Sequence, residues 1–331
     1  NEPAAAAMAK AVELARQCVA AGFRKLHLDA GFGCCDDPPQ GIPMETVAAR
    51  TADLCQAAET AAERRPAGTP RPLYVIGAEV PAPGGALEIP EEVEVTPPGD
   101  VAKFIALTGS HFQKAGLTGA WERLLAVIVQ PGVEFGNFSI ARYAPAKARA
   151  LSAYHQKLPG IMTYEIHSTD YQAPESLARM VDDHFTLLKA GPCLTSAFRE
   201  AVFALEDIEI EHLKSRRGAV RSDIRRVLER VMTAAPEHWS SHYHGTDEEL
   251  RRMRCSSMLD RIRYYWGHPD AKSSLARLHA NLGSAVPASL WVRSWPEADP
   301  EAADGAAPVS PAAYIRRRIQ KALRPYLDAC R

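Results

Sequence analysis

An α/β fold on a parallel sheet is the architecture this sequence predicts, and two observations carry it. Apolar runs of strand length alternate with helix-like stretches up to about residue 213. Within the runs, polar side chains recur at every second position and gather toward the carboxyl ends.

The runs are KLHLDA (25–30), LYVIGAEV (73–80), LLAVIVQ (124–130), IMTYEIHS (161–168) and FTLLKAG (185–191). A helical stretch, NEPAAAAMAKAVELARQCVAAGF, comes before the first run. Helix-like stretches at 44–64, about 99–116, about 145–157 and about 174–184 lie between the runs, and another at about 193–213 follows the last. Strand and helix alternating in this way mean right-handed βαβ units and a parallel sheet. The chain opens on a helix with no strand before it, and five strands cannot close an eight-stranded barrel. Two readings follow: an open doubly wound sheet, or a barrel whose amino-terminal units are absent.

In a strand, residues i and i+2 face the same way. Lys25, His27 and Asp29 therefore share a face, as do Val75, Gly77 and Glu79. Gln130 ends the third run with Glu134 four residues beyond, Glu165 and His167 end the fourth, and Lys189 lies near the end of the fifth. The opposite faces, Leu26/Leu28, Ile76/Ala78/Val80, Tyr164/Ile166 and Leu188, suit packing against helices. A parallel sheet covered by helices on both sides should read apolar throughout. Polar residues on one face point instead to a barrel lumen opening onto a site at its C-terminal mouth. Burying this many ionisable groups costs several kcal/mol each unless they pair or bind something.

Composition narrows the class. With 331 residues, 46% hydrophobic and 24% charged, the chain can bury a large core. No apolar run approaches the roughly 18 residues of a membrane span, and the amino end lacks a signal peptide's pattern. Seven cysteines without a CxxC pair suit reduced thiols of a cytoplasmic protein better than a disulfide framework or a zinc finger. From Glu211 onward 21 Lys and Arg face 14 Asp and Glu, while residues 1–210 are acidic on balance. The arginines sit in helical patterns such as VRSDIRRVLERV with acids nearby, which reads as solvated helix faces or a subunit contact and not as nucleic-acid binding. The organisation expected is a partial barrel over 1–213, a helical extension packed on it over 214–294, and a linker with a terminal helix over 295–331, the linker being WPEADPEAADGAAPVSP (295–311).

LHLDA (26–30), YVIGAEVPAPGG (74–85), VIVQPGVEF (127–135), YEIHSTDYQ (164–172), LKAGPCLTSAFREAVFAL (188–205) and DRIRYYWGHP (260–269) closely resemble the Z-subunit family of D-tagatose-1,6-bisphosphate aldolase. The resemblance runs from about residue 1 to about 282, and 283–331 agrees more loosely. It implies a TIM (β/α)8-type barrel, distantly similar to class II metal-dependent aldolases, lacking its first three βα units here and followed by a helical C-terminal appendage. An Asp-His pair that contributes to the metal site is implied in those upstream units.

The same resemblance assigns roles to residues. His167 is similar to a metal-ligand histidine at the end of a late strand, and Glu134 stands about where those enzymes carry a second histidine. A carboxylate is an acceptable zinc ligand, so a divalent metal, zinc first, is the implied cofactor. Asp29 falls near an acidic position that supports the ligands, and Glu79 resembles the acid before a glycine pair, Gly84–Gly85. Asp29, Glu79 and Asp170 are the catalytic candidates. Ser168, Thr169 and Asp170 replace a glycine-rich phosphate turn, and Lys189, Gly191 and the helix start Thr195–Ser196 would receive a phosphate at the helix N-terminus. The implied chemistry is C3–C4 cleavage of a phosphorylated ketose, with the metal as Lewis acid and Asp29 or Asp170 moving the proton.

Three functions follow from the resemblance. The first is a supporting subunit that stabilises and activates a catalytic Y-type aldolase subunit in galactitol or N-acetylgalactosamine breakdown, with a homo-oligomer also open. The second is an aldolase or ketohexose(-phosphate) C4-epimerase acting by itself. The third, tagatose-6-phosphate kinase, is disfavoured, because no GxxxxGK[ST] loop, GxGxxG or other nucleotide cradle is present. DRIRYYW, helical by pattern, reads first as a docking segment whose Asp260 pairs an arginine, and second as an interface or phosphate contact.

Overall fold

The computed structural model describes residues 2–77, 85–86, 92–283, 286–293 and 310–331. Five strands, β1 (Lys25–Leu28), β2 (Leu73–Ile76), β3 (Leu124–Val129), β6 (Thr163–Ile166) and β7 (Leu187–Leu188), form one sheet in which every neighbouring pair is parallel. A two-stranded antiparallel hairpin, β4 (Glu134–Phe135) and β5 (Ile140–Ala141), stands after β3; the alternating pattern of the sequence gives no sign of it.

The strand order follows the chain without reversal. A doubly wound sheet has a switch point where the order turns back; among the described residues this sheet has none, which speaks against the open doubly wound reading. Helices α2 (Met44–Glu63), α3 (Pro98–Lys114), α5 (Pro145–Tyr154) and α6 (Pro174–Asp182) make the crossovers, close to the expected bounds, with the short α4 (Thr118–Trp121) leading into β3. Proline opens α3, α5, α6 and α7 (Pro192–Leu213), where its fixed φ suits the first turn and no hydrogen bond is lost. The amino-terminal α1 (Ala4–Ala20) packs on α2.

The two strand faces differ as their parity predicts. Leu26, Leu28, Tyr74, Ile76, Val127, Val129, Tyr164 and Ile166 belong to a large core with residues of the crossover helices, among them Val47, Phe104, Leu151 and Leu177. Among the described residues the other face holds a small apolar patch, Val75, Ala126 and Ile128 with Leu187 against it. Gly77 belongs to this face, and a Cβ there would lie 2.9 Å from the Ile128 side chain, so only glycine lets the two strands approach.

A second core starts inside α7. Its Ala201, Val202, Leu205 and Ile208 pack with Leu228 and Met232 of α8 (Ile224–Ala234) and Leu278 of α10 (Pro269–Asn281). Helix α9 (Asp247–Ser256) begins on a Thr246–Glu249 capping box, and α11 spans Ala288–Arg293. The terminal α12 (Pro311–Ala329) places Tyr314 and Ile315 in this second core and Tyr326 in the first, joining the two. The linker residues 295–309 lie outside the described residues. Among the described residues no helix is long and apolar enough to cross a membrane.

DRIRYYW is not an α-helix; Arg261–Tyr264 make one 3-10 turn, set off by Asp260 in the left-handed region (φ 48). Asp260, 1% exposed, pairs with the buried Arg199 of α7, which also donates to the Ser257 carbonyl (3.0 Å) and the Ser196 hydroxyl (2.6 Å). This buried pair docks the C-terminal part on α7. Removing one partner leaves an uncompensated buried charge, which costs about 3–5 kcal/mol. Arg199→Met is therefore expected to lower unfolding free energy by that order, and the Arg199→Met/Asp260→Leu double variant to recover much of the loss, as read by chemical denaturation.

Candidate functional site

The sheet curls strongly enough for its first and fourth strands to meet. Three strand spacings of about 4.8 Å would hold β1 and β6 about 14 Å apart in a flat sheet. Yet the Lys25 ammonium of β1 lies 2.6 Å from Oε2 of Glu165 on β6. Two residues along, the His27 and His167 rings stand 5.5 Å apart, edge to face. The i, i+2 pairs Lys25/His27 and Glu165/His167 thus become one cluster across the concave face.

Glu165 is its centre. Its Oε1 is 3.3 Å from His167 Nε2 and 3.9 Å from His27 Nδ1. Burial raises the carboxyl pKa, but His167 and Lys25 outweigh it and hold the group at about 2. Burial, helped by the charge of Lys189, pushes His27 down to about 4, so its ring is neutral near pH 7. The His27 Nε2 atom is buried without a hydrogen-bond partner. Lys189, whose pKa burial lowers, points its ammonium at His167 Nε2 from 3.3 Å. A single imidazole nitrogen cannot donate to Glu165 and accept from Lys189 at once, so its proton selects one of these partners. The cluster opens on a cavity of about 570 Å³ lined further by Leu187 and Leu188, by Tyr326 and Leu327 of α12, and by Cys330 just beyond that helix.

His27, Glu165 and His167 offer one ligand atom each, all within 4.8 Å of one another. Two imidazoles and a carboxylate are a zinc donor set, and His27, held neutral by burial, is in the form that can ligate. The residues therefore fit such an ion in kind.

Of the expected residues, His167 and Lys189 are in this cluster, and Asp29 is near enough for its charge to act on His27 and Lys189. Glu134 is buried beside Ser168, which lowers its carboxyl pKa against the stronger rise from burial. It is close enough to feel His167 and Asp170 but is not one of the three converging ligands. Glu79 and Gly84 lie outside the described residues.

Ser168, Thr169 and Asp170 turn inward and are buried. Ser168 and Tyr171 hold left-handed backbone (φ 55 and 62), a conformation that glycine adopts without strain. Thr169 donates to the Lys189 carbonyl (2.7 Å), and the Tyr326 hydroxyl donates to the Thr169 carbonyl (2.9 Å). Asp170 Oδ1 accepts the N–H groups of Gly191 (2.9 Å) and Cys193 (2.8 Å). A carboxylate of the chain itself thus engages the α7 N-terminus where a phosphate was expected. Ser196, 3% exposed, joins Arg199. Tyr171 donates to the Met258 carbonyl (2.7 Å), and Gln172 binds Ala141 and Tyr143 of the hairpin segment.

Sequence reasoning passed over His27, Lys25 and Glu165 as site residues. Their shared parity was visible; the curl that brings β1 opposite β6 was not.

A curled, sequentially ordered parallel sheet with titratable groups on its concave face defines a half-barrel α/β protein with a polar pocket. The chain belongs to the family described as D-tagatose-1,6-bisphosphate aldolase subunit GatZ/KbaZ-like, whose model matches residues 1–331. It is 43% identical over 333 residues to the D-tagatose-1,6-bisphosphate aldolase subunit GatZ of Salmonella newport strain SL254, covering 100% of this chain and 76% of that protein. The subunit of the same name from Salmonella typhimurium strain LT2 is 42% identical over 332 residues, with the same coverage. The crystal structure of a probable tagatose 6 phosphate kinase from Sinorhizobium meliloti 1021 superposes with a TM-score of 0.85 at 37% identity, covering 99% of this chain and 78% of that one.

The cluster predicts acid sensitivity in two windows. The unfolded chain protonates His27 near 6.5 but the folded one only near 4, so stability falls as pH drops across that interval. Glu165, held at about 2 against 4.5 unfolded, contributes stability above 4.5 that is lost as pH falls toward 2, on the order of 3 kcal/mol in full. His27→Gln should flatten the upper window and Glu165→Gln the lower, measured by denaturant midpoints across pH.

Proposed function

We propose that this chain is the supporting subunit of a cytoplasmic D-tagatose-1,6-bisphosphate aldolase, stabilising and activating a separate Y-type catalytic subunit in tagatose 6-phosphate, galactitol or N-acetylgalactosamine catabolism. Family membership supports this reading. The observation that carries it is the internal compensation of the concave cluster: Lys25 and Lys189 engage two of the three groups that a catalytic metal would otherwise hold, Glu165 and His167. A site closed on itself in this way is at rest.

The scaffold we propose is the last five strands of a TIM-type barrel, which three further βα units would close. Its support is the sequential strand order and the outer edges of β1 and β7, neither of which pairs among the described residues.

A second reading, aldolase or C4-epimerase activity of the chain's own, is favoured by the converging triad and the cavity. His27, Glu165 and His167 would hold a divalent ion, zinc by donor kind, with Glu134 as a further carboxylate at hand. Bound there, the ion supplies Lewis acidity to a ketose carbonyl. Asp29 would move the proton and Lys189 meet the substrate's phosphate. Asp170, Gly191 and Ser196 are engaged in packing, and Thr169 holds the Lys189 backbone in place.

Kinase activity, the function that the Sinorhizobium protein's name carries, would need a phosphate cradle, and this sequence has no nucleotide-binding motif.

Co-expression with the cognate Y-type subunit tests the first reading. Longer thermal half-life and higher specific activity of that subunit are expected; a partner equally stable and active alone would end it. For the second reading, His167→Ala should abolish metal uptake and turnover of the full chain, measured by metal analysis and a triose-phosphate release assay.

A further inference from the structure

The two lysines of the cluster are not placed as ordinary surface cations. The Lys25 ammonium binds Glu165 Oε2 at 2.6 Å, and that of Lys189 faces His167 Nε2 at 3.3 Å. Each stands directly on one of the three converging ligand residues. An ion at about 2.0–2.2 Å from the Glu165 and His167 ligand atoms that the lysines touch would lie no more than about 5 Å from the ammonium groups if they stayed. Repulsion between a dication and an ammonium at that range, even at the dielectric constant of water, exceeds a tenfold change in affinity. Ion and lysines therefore compete for the same groups.

We propose that Lys25 and Lys189 are resident counter-cations of the His27–Glu165–His167 triad, and that a divalent ion enters only by displacing them. The proposal rests on the metal-holding reading above. The surroundings permit the exchange. Lys25 is 46% exposed at its side chain, the cavity beside the cluster measures about 570 Å³, and a four-carbon stem can swing without moving the strand. Lys189 has a second anion within electrostatic reach in Asp29. His27 Nε2 is buried without a hydrogen-bond partner, so neither lysine engages that atom.

Displacement also confers selectivity. Zinc gains two imidazoles and a carboxylate in return. Magnesium, which prefers oxygen ligands and keeps its waters, would gain one carboxylate. The site should take zinc weakly and magnesium not at all.

Zinc titration of the full chain against a chromophoric chelator tests this, with wild type, Lys25→Met, Lys189→Met and the double variant compared, and magnesium as the second probe. Lys25→Gln and Lys189→Gln, which keep polar tips, stand in should a methionine variant fail to fold by circular dichroism. Each single substitution is expected to tighten zinc binding about tenfold or more, the double further, and His167→Ala to abolish the gain. If wild type binds zinc through His167 and the lysine variants bind no tighter, the counter-cation proposal is wrong and the metal reading stands. If neither wild type nor the double variant binds zinc in a His167-dependent way, the metal reading fails and takes the proposal with it.

Discussion

The Lys25–Glu165 contact is the constraint from which the rest of the concave face follows. It joins strands that are three places apart in the sheet, and only a strongly curled sheet allows it. The curl in turn needs a thin inner layer, which Gly77, Val75 and Ala126 supply. Once β1 and β6 face one another, every inward polar residue on them shares one small volume. Glu165 has to be ionised and paired there, His27 neutral, and Lys189 turned toward His167.

Beyond His167 the chain turns its polar residues onto backbone. Thr169 ties β6 to β7, Asp170 ties it to α7, Tyr171 to the turn before Asp260, and Gln172 to the hairpin. Tyr326 brings α12 onto the same knot. Five elements thus meet at the carboxyl end of one strand, where a barrel-type protein places its chemistry. Mostly buried, these bonds fix the position of His167 and Lys189 through the main chain rather than by contact with their side chains.

The five parallel strands and the division into an aliphatic and a polar face were legible in the sequence because a period of two is a local property, whereas the strand order and the β4–β5 hairpin were not. Helix bounds were legible to within a few residues for the same reason. What a polar side chain touches is not local. Asp170 followed by a proline-started helix, with Ser168 where glycine would relax the turn, reads equally well as a phosphate turn or as an anchor; the N–H groups of Gly191 and Cys193 decide it only once β7 is in place. Lys25 was a polar strand residue of no stated role until β6 stood opposite. DRIRYYW has the spacing of a helix, yet Asp260 in left-handed backbone and its pairing with Arg199 hold it as a single 3-10 turn.

A cluster whose charges are compensated from within has a consequence for how such a subunit behaves. A metal-dependent site with unpaired acids is unstable until its ion arrives, because the carboxylates repel or remain desolvated. Here the carboxylate of the triad is held by an ammonium of the same chain, so its charge is balanced without an ion. That is the property required of a subunit whose task is support, since its surface must be formed whatever the state of its own pocket. The same compensation weakens any ion the pocket takes, for the attraction of Glu165 is already partly satisfied by Lys25. Support and catalysis therefore pull the cluster in opposite directions, because an ammonium on a ligand residue stabilises the empty pocket and opposes an ion in it.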